Sequence, residues 1–562
     1  MQALDWIVLI VTLLAIVVYG TYKTRGSKNV QDYIRGGSEA KWWTIGLSVM
    51  ATQASAITFL STPGQAFHSG MGFVQFYFGL PIAMIIICMV FIPLYHRLKV
   101  YTAYEFLENR FDLKTRTLTA ILFLGQRGLA AGITIFAPAI ILSAVLGWNL
   151  LLLNIIIGIL VIIYTVSGGT KAVSVTQKHQ MTVIFTGMFI AFFIIVSKLP
   201  ADISFTKALD IAGASGKMEI LDFSFNLNNR YTFWTGIIGG TFLMLSYFGT
   251  DQSQVQRYLS GKSVKEMQMG LIFNGILKIP MQFFILLVGV MVFVFYQFNE
   301  APVNFNPTAT DIVLNSEYAE EYKQLQEEQK QIFNDKKQLI TNYAATGNQD
   351  MQAYIATANA TSDDLRNEAR ELIDKAGESQ NIKVESNDKD YVFIHFILNN
   401  LPRGLIGLLL AVILSAAMSS TASELNALAS TTTLDLYKRN TSEKSELQMV
   451  KVSKLFTLLW GIIAIGIACV ANLAENLIQL VNIIGSIFYG NVLGVFLLAF
   501  FFKFVKGQAV FVAALITQVI VIALFFLNEY EVINLPFLWL NFVGCAIVIA
   551  IASLIQGVFK SN

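Results

Sequence analysis

Charge is scarce in this chain: Asp, Glu, Lys and Arg make up 14% of its 562 residues, where water-soluble domains carry roughly a quarter. Because 55% of the residues are hydrophobic, the composition argues strongly against a soluble globular protein. Cysteine is scarcer still, at three. Cys88, Cys469 and Cys545 each lie inside an apolar run without metal-type spacing, so they read as packing residues rather than as a disulfide framework or a zinc centre. A nucleotide-binding loop is missing, as is any nucleophile and base at plausible spacing, and no enzymatic activity is expected. The features of a cleaved leader are missing too. Asp5 precedes the first apolar run, no basic segment opens it and no small-x-small site follows, so this run is expected to stay as a helix.

What the chain does have is long apolar runs, among them 6–18, 80–93, 150–163, 181–195 and 537–554. About 20 such residues span a hydrocarbon core roughly 30 Å thick. The expected fold class is an all-α membrane protein of about thirteen transmembrane helices, near 5–22, 43–67, 74–97, 117–146, 149–166, 180–197, 232–256, 270–298, 392–434, 449–471, 475–502, 508–528 and 535–557. Every second connection is basic: Lys23 to Arg35, Arg97 to Arg116, Lys171 with Lys178, Arg257 to Lys265, Lys438 to Lys444, Lys503 with Lys506, and Lys560. By the positive-inside rule these face the cytoplasm, which puts the N-terminus outside and the C-terminus inside.

Four parts are expected. Residues 1–40 hold an extra helix and the first cytoplasmic loop, 41–502 a ten-helix core, and 503–562 two further helices. Within the core, 299–391 is polar and rich in Glu, Gln, Lys and Asn, an extracytoplasmic insert. Its segments 317–343 and 350–376 are made of helix formers, so a helical hairpin over the outer mouth is expected, with either a binding role or that of a solvated spacer.

Three patches interrupt the apolar pattern. In Trp42–Phe59 a small, polar group from Ala51 to Ser55 falls at mid-membrane depth, where a helix that unwinds beside a cavity frees carbonyls for a cation. Ser415–Asn426 holds four serines and a threonine within nine residues. Two hydroxyls beside freed carbonyls suit Na⁺ with no fixed charge. Close helix packing through small residues is the lesser alternative for both patches. The third patch, Gly239–Tyr258, reads as another interrupted helix, five helices after the first, as two inverted five-helix repeats require.

These stretches, with Gly168-Gly169-Thr-Lys-Ala-Val, Gln256-Arg257-Tyr258, Lys262-Ser-Val and Leu434-Asp435-Leu-Tyr437, resemble in order the signatures of the sodium/solute symporter family, which includes sodium/glucose, iodide, monocarboxylate, multivitamin and sialic acid carriers. The resemblance covers nearly the whole chain outside 299–391. It implies a LeuT-type 5+5 inverted-repeat core with broken first and sixth core helices, and a plasma-membrane location, the inner membrane in a bacterium. It also implies one Na⁺ held by main-chain oxygens of Ala51, Ala54 and Ala416 and by the hydroxyls of Ser419 and Ser420. Tyr247 matches an aromatic that closes the solute cavity on the cytoplasmic side, with Gln53 where its polar partner is usual. Relatives often carry Thr-Asp where this chain has Thr176-Gln177-Lys178, which argues against a second sodium.

Glu424 lies four residues beyond Ser420 on the same helical face, where an unpaired carboxylate is expensive. It is expected to replace the missing acid on the ion exit path, paired with Lys178, or to form a plain salt bridge. Arg127 and Lys278 are cations at membrane depth, costly and commonly functional there, and a guanidinium suits a carboxylate. Ile135-Phe136-Ala137-Pro138-Ala139 resembles the anion-carrying branch of the family, whereas Ala130 and Tyr77 stand where sugar carriers tend to have Asn and Glu. Gln75, Tyr77, Thr134, Asn274, Asn482 and Ser486 are further candidates for the cavity wall. The expected function is Na⁺-coupled import of a small polar solute, leaning to an organic anion. A sugar or polyol symporter, a proton-coupled carrier and a non-transporting sensor are the alternatives. The expected partners are the solute and the lipid bilayer, with at most weak self-association and no nucleic acid.

Overall fold

A computed structural model describes residues 2–23, 39–226, 229–382, 384–441, 445–471 and 476–560. The side chains of 16–17, 19–23, 145, 167–172, 174–176, 178 and 559–560 lie outside that description. The described residues form helices and connections, with no strand beyond an isolated bridge between Ala40 and Gly261. Among them nine helices are long and apolar enough to cross a bilayer, and Ala3–Ala15, Leu150–Val166 and Thr235–Gly249 are shorter apolar helices. The stretch Ala56–Leu98 contains parts of two expected crossings, since Ala56–Ser69 continues the helix begun at Trp42 and Leu80–Leu98 makes the next.

The helices that matter for the site are α1 (Ala3–Lys23), α2 (Trp42–Gln53), α3 (Ala56–Ser69), α4 (Leu113–Leu146), α5 (Leu150–Ser197), α6 (Gly240–Gly249), α7 (Gln252–Tyr258), α8 (Val264–Phe298), α9 (Ala319–Thr346), α10 (Met351–Ser379), α11 (Leu405–Thr431) and α12 (Leu477–Phe501). Both expected interruptions are present. Between α2 and α3, Ala54 (φ −88°, ψ 73°) and Ser55 (φ −77°, ψ 179°) leave helical geometry. Between α6 and α7, Thr250 and Asp251 do the same, and Asp251 restarts the helix by accepting from the Ser253 amide, the usual service of an N-cap aspartate. Close packing locks the first interrupted helix in place: a Cβ at Gly289 of α8 would lie 2.2 Å from the Pro63 carbonyl of α3.

Two expected boundaries move. The helix anticipated over 392–434 is two, Val392–Asn400 and α11. Pro402 holds Leu401 extended (ψ 151°) and Gly404 turns at φ 84°, a conformation open to glycine. Asp5 of α1 then accepts from the Gly404 amide at 2.6 Å. The helices anticipated at 149–166 and 180–197 form one unbroken helical stretch, α5. No proline lies between them to end it. Both parts face α11: Tyr164 and Val173 cluster with Ala422 and Met418, and Gln177 and Gln180 reach Ser423 and Ser415.

The polar insert folds as α9 and α10. Gln329 bonds Ser362 and Lys336 bonds Asn359, an antiparallel register. The pair has its own apolar core of Val303, Val313, Tyr322, Leu325, Leu365, Leu372 and Ile373, separate from that of the bundle. It packs against Phe205–Ala214 and α8. No residue of α9 or α10 lines the open cleft of about 1150 Å³ formed by Gln65, Gln75, Asp222, Arg230, Tyr231 and Gln479. The buried face of the hairpin packs against α8 and Phe205–Ala214, not against that cleft.

Candidate functional site

The two interrupted helices meet α4, α11 and α12 around a cavity of about 680 Å³. Its wall includes Thr52, Gln53, Ser55 and Thr58 from the first interruption, Tyr247 from the second, Tyr77, Arg127 and Thr134, Glu424 of α11, and Asn482 and Tyr489 of α12. Gln53, Tyr77, Arg127, Tyr247, Glu424 and Asn482, predicted from the sequence, thus share one space. Lys278 does not. It is fully buried behind Tyr77, with its Nζ 5.6 Å from that ring and no hydrogen-bond partner.

Arg127 is the hub. It donates to Glu424 Oε1 at 3.1 Å and to the Tyr489 hydroxyl at 2.7 Å, and it is ion-paired with Asp251. Tyr489 in turn donates to Asp251 at 3.0 Å, and Thr134 donates to Glu424 Oε2 at 2.8 Å. The guanidinium stands 5.4 Å from the Tyr247 ring. One cation thus serves two carboxylates, and its Nε, facing none of them, has no partner. Desolvated charges persist in such a place only when paired and hydrogen-bonded. The ties join α4 to the restart of the second interrupted helix, to α11 and to α12. Glu424 pairs with Arg127 and faces the cavity; the expected pairing with Lys178 lies outside the described residues, which do not include that side chain.

Tyr247 also takes a different partner from the one expected. Its hydroxyl accepts from Gln254 Nε2 at 2.6 Å, because the second interruption folds α7 back within reach, while Gln53 Oε1 is left without a partner. Ala51 and Ala54 sit at the end of α2, where carbonyls lose the amides that a continued helix would offer. Across from them on α11, Ser420 donates to the Ala416 and Ala417 carbonyls, and the buried Ser419 Oγ has no partner. Gln177 ties the two helices together: it accepts from Ser48 at 2.6 Å and donates to Thr52 and Ser423, each at 3.2 Å. This end of α2 and the serines of α11 thus offer uncharged oxygens to a hard cation.

Asp251, Tyr489 and the bridging role of Gln177 escaped the sequence reading. For Asp251 the signal was there, an acid in an interrupted helix at membrane depth. Tyr489, inside an apolar aromatic helix, gives none.

A bundle of helices long and apolar enough to cross a bilayer, with two of them interrupted beside a shared cavity, fits a multi-pass membrane transporter. The chain belongs to the sodium:solute symporter family, whose profile matches residues 33–322 and 369–517. It is similar to sodium-coupled monocarboxylate transporter 1 of Xenopus laevis, 28% identical over 90% of this chain and 68% of that protein. It is also similar to the human sodium/iodide cotransporter, 30% identical over 48% of this chain and 42% of the relative. Its fold matches that of a Na⁺-coupled sialic acid symporter in a substrate-bound, outward-open state, with a TM-score of 0.75 and 24% identity over 99% of this chain and 98% of that one. It is a sodium-coupled solute symporter, not an enzyme, and Na⁺ is its coupling ion.

Proposed function

We propose that the solute is a small monocarboxylate, imported with one Na⁺ by alternating access. The observation that carries this reading is Arg127, the one cation among the described residues of the cavity wall, with an unpartnered Nε–H. A guanidinium edge is a good carboxylate donor, and the similarity to monocarboxylate carriers points the same way. Thr58, Gln53 and Asn482 would bond the carboxylate's second oxygen or a hydroxyl beside it.

Na⁺ would sit between the Ala51, Ala54 and Ala416 carbonyls and the Ser419 and Ser420 hydroxyls. The partnerless Ser419 Oγ supports this, since a buried hydroxyl without a partner is costly unless a ligand completes it. Joining α2 to α11, the ion would favour the state that binds solute; coupling is that difference in affinity. One Na⁺ contributes about 2.3 kcal/mol per 100 mV, plus its concentration gradient. Gln177, a neutral amide between α2 and α11, supports a single sodium.

Uptake by proteoliposomes under an inward Na⁺ gradient tests the reading. Labelled acetate or lactate should accumulate with Na⁺ but not with K⁺, and unlabelled carboxylates should compete. If sugars compete and carboxylates do not, the second reading takes over. That reading, a polyol or sugar carrier, draws on the neutral donors of the wall and on the two carboxylates already engaging Arg127.

A further inference from the structure

Outside the central cavity a second, small one opens between the hairpin and the body of the bundle. Lys217, Lys336 of α9 and Arg366 of α10 converge on it from three segments, and Asp363 is the one carboxylate among its described lining residues. The cations make almost all their contacts with uncharged groups. Lys217 donates to the His68 carbonyl and stands 5.0 Å from the Phe293 ring. Lys336 donates to Asn359 Oδ1 at 3.3 Å. Arg366 donates to the Val303 and Pro302 carbonyls at 3.0 and 2.9 Å and stands 5.0 Å from the Phe305 ring. Its nearest carboxylate, Asp388, is 3.8 Å away and already bonded by Arg370 at 2.7 Å.

The wall also holds polar atoms without a partner: Asn359 Nδ2, a buried donor, with His68 Nε2 and Gln297 Oε1. Lys336 and Arg366 are only 7% and 4% exposed, so solvent does little to offset their mutual repulsion. Like charges gathered in a desolvated space need a counter-charge, and the protein supplies too few. Lys336, Asn359, Asp363 and Arg366 all fall within 323–368, the stretch that the family profile passes over. The hairpin side of the cavity thus belongs to this chain's insert, while Lys217 and His68 belong to the matched core.

We propose that this cavity binds a small monovalent anion, a halide or a short carboxylate, and that the bound anion fastens the hairpin to the transporter body. Burial, helped by the neighbouring Arg366, pushes the Lys336 ammonium down to about 8. It is therefore charged at neutral pH and ready to receive an anion.

The test is thermal unfolding of the purified full-length protein in detergent with K⁺ in place of Na⁺, which keeps solute from being held in the central cavity, and with gluconate replaced stepwise by chloride or by acetate. A saturable rise in the unfolding midpoint is expected with at least one of the two. It should disappear in the Lys217→Gln/Lys336→Gln double variant, whose midpoint in gluconate also shows whether the variant folds. Asn359→Leu, which leaves every charge in place, should raise the apparent Kd at least fivefold. Protection by acetate alone assigns the site to carboxylates, and protection by chloride alone to halides. A flat response to both, or an equal rise in the double variant, overturns the proposal. The transport reading does not rest on this site, so failure of the proposal would leave that reading untouched.

Discussion

Two buried groups of charge in this protein are out of balance in opposite senses. Around Arg127 one guanidinium stands between Asp251 and Glu424, so the centre of the bundle is one positive charge short. At the foot of the hairpin Lys217, Lys336 and Arg366 face Asp363, and the shortage is of negative charge. The inner group is closed by protein hydroxyls, Tyr489 and Thr134, which fill the remaining hydrogen-bonding positions of the carboxylates. The outer group lies between the hairpin and the bundle, where Asp363 and Asp388, the latter shared between Arg366 and Arg370, are fewer than the cations. Inside the bundle the fold offsets its imbalance with hydroxyls; at the hairpin it leaves room for a ligand to do so.

The contrast is broken most severely at its centre. Arg127→Met leaves two buried carboxylates facing each other and should cost about 3–5 kcal/mol of stability, with uptake abolished. Thermal unfolding and proteoliposome flux check both, and a variant of wild-type stability would show that the pairing carries little weight. Next in size is Ser419→Ala. Its hydroxyl has no protein partner to lose, so the Na⁺-free unfolding midpoint should hold while the half-saturating Na⁺ concentration for uptake rises about tenfold, a shift of about 1.4 kcal/mol.

The outer group is sharpened by pH. With its folded-state value lowered to about 8, Lys336 binds fewer protons folded than unfolded between that pH and its ordinary value near 10.5. Stability without anion should therefore rise as pH climbs through this window, the penalty for the buried charge being complete below it. Protection by anion should run the other way, stronger at pH 7 than at pH 9, and absent from Lys336→Gln at either. The smallest effect is expected at Gln254→Ala. Freeing the Tyr247 hydroxyl removes one hydrogen bond, about 0.5–1.5 kcal/mol, and should change the uptake rate only a few-fold.

How far these groups could be read beforehand differs with the kind of signal. Arg127 and Glu424 announce themselves as charges inside apolar runs, and so does Lys278. Yet only the packed structure shows that Arg127 and Glu424 are partners, 297 positions apart, while Lys278 is turned behind Tyr77 and away from the cavity. The interruption at Ala54 and Ser55 was visible as small and polar residues at mid-depth. Its use, with Gln177 bridging Thr52 to Ser423, was not, because an amide in a helical stretch looks the same whether it meets lipid headgroups or another helix. The hairpin's two helices were legible from helix formers and a polar break. Their packing against α8 and Phe205–Ala214 was not, since it joins segments far apart in the chain.

The order of residues alone settles the membrane class, most of the helices and where two of them break, because apolar length and local backbone preference are properties of neighbours along the chain. Which carboxylate meets which guanidinium, and where a cluster of cations is left without one, was decided only on packing. Those pairings depend on distances between segments hundreds of residues apart, and no local preference encodes them.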